Sequence, residues 1–225
     1  MKFTYYGHAC FNMEIDGKYF LFDPFITGNP LASEIDINEI KADYILVSHG
    51  HSDHVGDLIA IAKNTNALII TNFEIANWIK QQGYENVHPL NFGSKDFDFG
   101  KLHFVPAAHS SALPDGSYGG NPGGFILKTK SGNFYYAGDT SLTMEMQLLP
   151  YYGKLDFAVL PVGGNFTMDV DDAIKAAQMI ECDKVIGVHF DTFGYIVINH
   201  EDAKKKFADA GKELILPKIG WEIML

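Results

Sequence analysis

One stretch of the chain reads Val47-Ser48-His49-Gly50-His51-Ser52-Asp53-His54-Val55-Gly56-Asp57. It follows an apolar run that predicts a strand and precedes a run with helical periodicity, so it is expected to lie in the turn between the two. Three imidazoles and a carboxylate within six positions would waste polar groups in a core, whereas a turn at a strand end can direct them to common points. This mixture of nitrogen and oxygen donors suits borderline-soft divalent metals.

These four side chains exceed what one metal ion needs, since a catalytic zinc takes about three protein ligands and a water molecule. The surplus predicts two metal ions. The alternative is an exposed polar loop in which histidines cluster by accident, and the position between a strand and a helix disfavours it.

The bulk composition describes an ordinary globular protein. The chain has 225 residues, of which 47% are hydrophobic, 13% aromatic and 20% charged, so we expect a sizeable core rich in Phe and Tyr. The length allows either one large domain or two small ones. The formal charge of -11 opposes binding to nucleic acid or anionic membranes, because an acidic surface repels phosphate.

Two cysteines, Cys10 and Cys182, lie far apart without a CxxC partner, so neither a disulfide framework nor a thiolate zinc site is expected.

The first eight residues lack the apolar stretch of a signal peptide, and no apolar run approaches the roughly 20 residues of a membrane helix. We therefore expect a soluble cytoplasmic protein with a small-molecule substrate, no nucleic-acid partner and no membrane association. The sequence leaves the oligomeric state open, a homo-oligomer included.

The pattern along the chain is that of an α/β protein. Three β-rich runs open it as a meander, with Asp16-Gly17 as a hairpin turn. Apolar strands then alternate with helical stretches, which implies helices layered on a sheet. Strands are expected at 3–6, 10–15, 19–22, 44–47, 67–70, 102–105, 124–129, 133–137, 157–160 and 184–188, and helices at 54–64, 73–82, 169–180 and 199–210. No linker marks a boundary, so residues 1–225 are predicted to form one domain with two sheets.

The HxHxDH pattern of residues 49–54 resembles the metallo-β-lactamase superfamily, and the resemblance extends over nearly the whole chain. It implies a four-layer αββα sandwich of two mixed β-sheets flanked by helices. The later ligands of that superfamily are matched by three strand-end residues, namely His109 in Val105-Pro106-Ala107-Ala108-His109, Asp139 in Tyr136-Ala137-Gly138-Asp139 and His189 in Ile186-Gly187-Val188-His189.

The resemblance implies a binuclear metal site. The first ion would be held by His49, His51 and His109, the second by Asp53, His54 and His189, and Asp139 would bridge them. Zinc is the expected metal, although a His/Asp cage also accepts Mn, Fe or Ni. Considered alone, His109 and His189 are as compatible with structural histidines as with ligands, and their order after the motif favours metal binding.

Within the superfamily the chain is similar to the small metal-dependent hydrolases related to ascorbate-6-phosphate lactonase. The matching motifs are Gly7-His8-Ala9-Cys10, Asp23-Pro24-Phe25, Gly138-Asp139-Thr140 and Gly163-Gly164-Asn165-Phe166-Thr167-Met168. Di-zinc β-lactamases carry Cys where this chain has Asp139, so penicillin hydrolysis is not expected. Flavodiiron oxygen reductases carry Glu in place of His51, and nucleases of the superfamily carry inserts for which 225 residues leave little room.

The resemblance implies hydrolysis by a metal-bridged hydroxide, since two cations can lower the pKa of water to about 7. The bond cleaved is expected to be ester-like, in a lactone or a phosphate ester of a small metabolite that can be anionic. Asp53 is the candidate to orient the water or accept its proton. Two alternatives stay open, an iron-dependent oxidoreductase of the sulfur dioxygenase type with the same cage and a noncatalytic metal-binding module.

Four further residues have weaker assignments. His8 can face the substrate as a catalytic proton donor or anion contact, or it can be a buried histidine bonded to the backbone. Asp23 can orient a metal-bound histidine or form an Asx turn, and we favour the first. Asn165 and Thr167 can line the pocket, or Thr167 can belong to a helix cap. Three histidines are expected to be structural or solvated, namely His88, His103 and His200.

Overall fold

The computed structural model describes residues 1–225. Its strands are β1 Lys2–Gly7, β2 Cys10–Ile15, β3 Lys18–Phe22, β4 Tyr44–Leu46, β5 Leu68–Thr71, β6 Val87–Pro89, β7 Gly93–Phe97, β8 Gly100–Pro106, β9 Gly123–Lys128, β10 Asn133–Tyr136, β11 Phe157–Pro161, β12 Lys184–Val188, β13 Glu213–Ile215 and β14 Glu222–Met224. Its α-helices are α1 Ser52–Val55, α2 Leu58–Thr65, α3 Phe73–Gln81, α4 Val170–Met179 and α5 His200–Asp209. Short 3-10 helices lie at Pro30–Ala32, Ile37–Glu39, Met144–Tyr152 and Gly194–Ile196. None of the helices has both the length and the apolar composition that crossing a membrane requires.

The chain forms two compact units, and each contains one seven-stranded mixed sheet. The first unit comprises Met1–Ser94, Ser110–Pro122 and Lys218–Leu225, and the second comprises Lys95–His109 and Gly123–Pro217. Two mixed sheets flanked by helices agree with the fold class predicted from the sequence. That residues 1–225 form a single domain stays a prediction.

The sheet of the first unit has the strand order β14-β1-β2-β3-β4-β5-β6. The first three strands form the predicted antiparallel meander, and β3 to β6 run parallel. The hairpin turns at Asp16 and Gly17, whose φ angles of 52° and 78° are the left-handed values of a two-residue primed turn. At one edge β14 pairs antiparallel with β1, where Lys2 Nζ lies 3.0 Å from Glu222 Oε1. Because β3 and β4 are parallel neighbours, the loops that follow them leave the sheet at the same edge.

One predicted helix is two helices in the structure. The prediction of a single helix over 54–64 is wrong, because α1 and α2 are separated by a break at Asp57. The backbone N–H of Asp57 donates to the carbonyl of Pro24, and its carboxylate accepts from the N–H groups of Ile26 at 2.5 Å and Thr27 at 2.9 Å. These bonds tie the break to the loop after β3. Helical periodicity alone does not reveal a tertiary contact of this kind.

The sheet of the second unit has the strand order β13-β12-β11-β10-β9-β8-β7. Strands β10 to β13 run parallel, whereas β9 is antiparallel to both β8 and β10. β8 therefore points the same way as β10, β11 and β12, and the carboxyl ends of these four strands lie at one edge. A core cluster joins strand residues Ala158 and Val185 to helix residues Ala173, Ala177 and Phe207.

The sequence pattern does not predict β6, β7, β13 and β14, which are the edge strands of the two sheets. Three of them have only three residues, and β7 carries mostly exposed side chains. Short and polar strands are typical of sheet edges, where they limit pairing with other chains. Such strands bury too little apolar surface to produce a β pattern, so only the inner strands are visible in the sequence.

Candidate metal centre

The residues of the HxHxDH motif lie directly after β4 and in α1. His49 and His51 belong to the loop, whereas Asp53 and His54 lie in the helix. His49 and His54 are fully buried, and the centroids of their rings are 4.1 Å apart. Donor atoms of Asp23, His49 and His54 all lie within 4.8 Å of one another. The turn predicted from the sequence thus concentrates donors within the first unit.

Asp23 follows β3 and binds two neighbours of the motif. Its carboxylate accepts from the backbone N–H of Ser48 at 2.7 Å and from the Ser48 hydroxyl at 2.5 Å, and its Oδ2 lies 2.8 Å from Nδ1 of His54. A carboxylate only accepts, so the proton of the neutral His54 ring sits on Nδ1 and the lone pair on Nε2. These contacts favour the orienting role of Asp23 over an Asx turn.

The same series of hydrogen bonds orients His49. Its Nδ1 lies 3.0 Å from Oγ of Ser48, and because the Ser48 hydroxyl donates its hydrogen to Asp23, that oxygen accepts from His49. Nε2 of His49 then carries the lone pair and lies 2.9 Å from Nδ1 of His51, whose Nε2 is 3.2 Å from Oγ of Ser110. The 2.9 Å between Nε2 of His49 and Nδ1 of His51 is close to the edge of about 3.3 Å that separates two ligand atoms in a zinc tetrahedron with bonds of about 2.0 Å.

His8 follows β1 and meets the motif through Asp53. Its Nε2 lies 3.0 Å from Oδ2 of Asp53, and its side chain is fully buried. The backbone of His8 has a φ of 54°, a left-handed conformation that costs a residue with a side chain about 1–2 kcal/mol. The Tyr5 hydroxyl donates to the carbonyl oxygen of His8 at 2.9 Å. Because the ring contacts a carboxylate of the motif, a role at the site is favoured over a purely structural one.

The second unit supplies its three predicted ligands from three loops. His109 follows β8, Asp139 follows β10 and His189 follows β12, at the edge where these strands end. Oδ2 of Asp139 lies 3.0 Å from Nε2 of His189 and 3.5 Å from Nε2 of His109. Asp139 and His189 are buried. One carboxylate oxygen near two imidazoles is compatible with the bridging role that the resemblance implies.

Three hydroxyl residues at the site received no role from the sequence. Ser48 and Ser110 contact rings of the motif, as described above. The side chain of Thr140 accepts from the N–H of Ala108 at 3.0 Å, and its carbonyl accepts from the N–H of Met168 at 2.9 Å, so it joins three loops of the second unit. Each of the three is adjacent in sequence to a predicted ligand, and this adjacency is the signal that points to them.

Asn165 and Thr167 lie in the turn between β11 and α4. Asn165 has a φ of 57°, and the hydroxyl of Thr167 lies 3.4 Å from the carbonyl of Met168. The cap of α4 is Asp169, whose carboxylate accepts from the N–H of Asp172, so Thr167 is not the capping residue. Lining of a pocket by Asn165 and Thr167 stays a prediction.

The remaining histidines lie apart from the motif in the sequence and in ordinary structural positions. His88 lies in β6, and His103 lies in β8, where burial lowers the pKa of its ring. His200 begins α5, and its Nε2 is 2.6 Å from Oδ2 of Asp191. These positions agree with the structural or solvated roles expected for the three residues.

The donor set fits divalent metal ions. It comprises five imidazoles and two carboxylates, and three of the imidazoles have one ring nitrogen held by a Ser or Asp oxygen of the same unit. Histidines that bind metals usually donate their second ring N–H to such a partner, which fixes the tautomer. Burial raises the pKa of the Cys10 and Cys182 thiols, so a thiolate contribution is disfavoured.

Comparison with known proteins identifies one family. The family described as the beta-lactamase superfamily domain matches residues 18–190. A UPF0173 metal-dependent hydrolase from Flavobacterium johnsoniae is 58% identical over 226 residues and is covered in full, as is this chain. A UPF0173 metal-dependent hydrolase from Carboxydothermus hydrogenoformans is 43% identical, with 95% of this chain and 93% of the relative covered.

Solved structures agree with this family. Igni18, a metallo hydrolase from Ignicoccus hospitalis, superposes with a TM-score of 0.89 at 32% identity, over 99% of this chain and 97% of the other. An isothiocyanate hydrolase from Delia radicum gut bacteria has a TM-score of 0.83 at 20% identity, over 100% and 99% of the two chains, and shares the fold. The predicted metallo-β-lactamase fold is confirmed, while the relation to ascorbate-6-phosphate lactonase stays a prediction. The chain belongs to the metallo-β-lactamase superfamily and is one of its small metal-dependent hydrolases.

Proposed function

We propose that this protein hydrolyses an ester-like bond, in a lactone or a phosphate ester, with two divalent metal ions. The proposed ligands are His49, His51 and His109 for the first ion, Asp53, His54 and His189 for the second, and Asp139 for both. Zinc is the proposed metal, with Mn, Fe and Ni as the ions that the same donors accept.

The observation that carries the proposal is the hydrogen bonding of the motif histidines. Ser48 holds Nδ1 of His49, and Asp23 holds Nδ1 of His54. In each ring the lone pair is then on Nε2, and a histidine binds a metal ion through such a lone pair. A metal ligand requires a fixed tautomer of this kind, because the lone pair must be on the nitrogen that faces the ion.

The bound ions would acidify a water molecule at neutral pH and polarise the carbonyl or phosphoryl oxygen of the substrate. Asp53 would orient the attacking water and accept its proton. His8 keeps Asp53 in one orientation, since its Nε2 lies 3.0 Å from Oδ2 of that carboxylate. A protein nucleophile is not needed, which is consistent with the two buried thiols of raised pKa.

Metal analysis and hydrolysis assays test this function together. We expect about two divalent ions per purified chain and turnover of a simple lactone or of bis(4-nitrophenyl) phosphate. Chelation or His51→Ala should abolish turnover. His200→Ala is the matched control, because His200 is a surface histidine paired with Asp191, and its activity should equal that of the unmodified protein.

Two results would redirect the assignment. Bound iron together with oxygen consumption would favour the oxidoreductase, whereas undiminished turnover under strict anaerobiosis with zinc or manganese would exclude it. A protein that holds two ions but fails on a broad panel of esters and phosphates would favour a noncatalytic metal-binding module. Full activity after complete metal removal would refute the proposal.

A further inference from the structure

Two exposed aromatic side chains form a pair on the second unit. Phe166 is 51% exposed and Tyr195 is 78% exposed, and their ring centroids lie 6.1 Å apart in an edge-to-face arrangement. Val197, which is 64% exposed, lies two residues after Tyr195. A contiguous patch of large, solvent-exposed apolar side chains is a common mark of a binding surface. We refer to Phe166 and Tyr195 as the aromatic pair.

The aromatic pair lies on the two loops that carry or support proposed ligands. Phe166 is in the turn 164–168, whose last residue, Met168, donates its N–H to the carbonyl of Thr140, the residue after Asp139. Tyr195 is in the loop that begins with His189. The loops are in contact, since a Cβ added at Gly163 would lie 2.1 Å from the carbonyl oxygen of His189. The aromatic pair therefore stands at the same sheet edge as Asp139 and His189.

The charge of the ligand-bearing segments points to the chemistry of the substrate. The chain contains no arginine, and its 17 basic residues are all lysines. The proposed ligands lie in segments without any lysine, namely 42–62, 102–127, 131–153 and 185–203, and Phe166 lies in another, 155–174. Proteins recognise phosphate and carboxylate groups chiefly with Arg and Lys side chains. These segments offer no such group to an anionic substrate, but they do offer the aromatic pair.

We propose that the aromatic pair binds an uncharged apolar group of the substrate, so that the substrate is a neutral lactone or ester with an alkyl or aryl substituent. This inference rests on the proposed hydrolysis and selects one of its two candidate bonds. Binding sites for small molecules combine apolar and aromatic walls with a few polar groups. Here the aromatic pair forms the wall, and Asp139 and His189 are the neighbouring polar groups.

The test compares γ-butyrolactone with γ-octanolactone, which carries four more carbons as a butyl chain. Water adds its oxygen to the carbonyl carbon, the ring C–O bond breaks with a proton passing to the released hydroxyl, and the new carboxylic acid releases one proton that an indicator detects. Burial of a methylene is worth up to about fourfold. We expect kcat/KM of the metal-loaded protein to be at least about tenfold higher for γ-octanolactone.

Phe166→Ala and Tyr195→Ala should each lower kcat/KM for γ-octanolactone by about tenfold while leaving that for γ-butyrolactone within about twofold. Tyr151→Ala is the matched control, because Tyr151 is an exposed tyrosine of the same unit outside both loops. It should change neither value. Equal kcat/KM for the two lactones with no effect of either loop variant, or a clear preference for butyl phosphate, would overturn the inference.

A binding measurement separates this inference from the proposed reaction. The probe is 3-butylcyclopentanone, a ketone that has the shape of γ-octanolactone, with CH2 in place of the ring oxygen, but cannot be hydrolysed. If no lactone is hydrolysed but the ketone binds and Phe166→Ala weakens its binding about tenfold, the hydrolysis proposal fails for lactones and the aromatic surface stands. If lactones are hydrolysed and ketone binding does not depend on Phe166, the hydrolysis stands and the aromatic surface is refuted.

Discussion

The first and second units supply their proposed metal ligands in different ways. In the first unit four ligands come from six consecutive residues, and Ser and Asp side chains orient the rings. In the second unit His109, Asp139 and His189 come from three loops separated by 30 and 50 residues. There one carboxylate oxygen lies near both imidazoles.

The difference concerns what holds each ligand in place. Side-chain hydrogen bonds set the rings of the first unit, and the backbone turn after β4 sets their spacing. In the second unit the parallel strands set the spacing, because their carboxyl ends meet at one edge. We therefore expect each single substitution around the motif to lower metal affinity by a limited factor. Loss of Asp139 should have a larger effect, because this one carboxylate lies near both imidazoles of the second unit.

Asp139→Asn should have the largest effect. It replaces the carboxylate near His109 and His189 by a neutral amide, so metal affinity should fall by more than about 100-fold, the upper range for residues that only support a ligand. Titration of the metal-free protein with zinc measures this. Asp183→Asn is the control, since Asp183 forms a surface ion pair with Lys212. An Asp139→Asn protein that binds zinc normally would contradict the ligand assignment.

Asp23→Asn should have the next largest effect, a loss of about 10- to 100-fold in zinc affinity. The amide keeps only one acceptor oxygen, whereas the carboxylate serves both Ser48 and His54. Melting of the metal-free variant should also shift downward, because a buried hydrogen-bonded pair is broken. Asp43→Asn, at an exposed carboxylate that accepts from the N–H of Tyr19, is the matched control. Unchanged affinity would show that Asp23 only shapes its own loop.

Ser48→Ala should cost about tenfold in zinc affinity, the lower end of the same range. It removes the acceptor of His49 but leaves the contact between Asp23 and His54. Ser48→Thr keeps the hydroxyl and should restore most of the affinity. If the Thr variant is as weak as the Ala variant, the hydroxyl is not the group that orients His49.

Metal removal should have the smallest effect, since we expect it to leave the tautomers of His49 and His54 unchanged. Nitrogen-15 NMR of the metal-free protein at pH 8 should show His49 and His54 protonated at Nδ1, as their hydrogen bonds to Ser48 and Asp23 require. Addition of zinc should leave these tautomers unchanged. A mixture of tautomers before zinc addition would mean that the metal, and not the protein, orients the rings.

The sequence predicts the inner strands of both sheets because they bury apolar side chains on an alternating or continuous pattern. It does not predict the four outer strands, which are short and largely exposed. The sequence pattern also predicts a single helix where the structure has α1 and α2, because the break at Asp57 depends on hydrogen bonds to the loop after β3. Local composition therefore suffices where burial determines an element and fails where a distant contact does.

The ligand residues could be proposed from the sequence because HxHxDH places many donors in one turn. An orienting role for Asp23 could also be proposed, but its contact with Ser48 could not, since the two residues are 25 positions apart and meet only when β3 and β4 pair. The left-handed backbone conformation of His8 could not be predicted either, because a histidine at this position gives no indication of a positive φ. The aromatic pair required the structure as well, because the exposure of Phe166 and Tyr195 cannot be read from their hydrophobicity.

The pairing of β1 with β14 has a consequence for synthesis. β1 leaves the ribosome more than 200 residues before its outer neighbour, whereas every strand of the second unit's sheet has been made by Ile215. During translation the outer edge of β1 therefore stays open to other nascent chains. Lys2, which pairs with Glu14 of β2 and, once β14 is made, with Glu222, places a charge on that edge, which discourages pairing with other strands before β14 arrives.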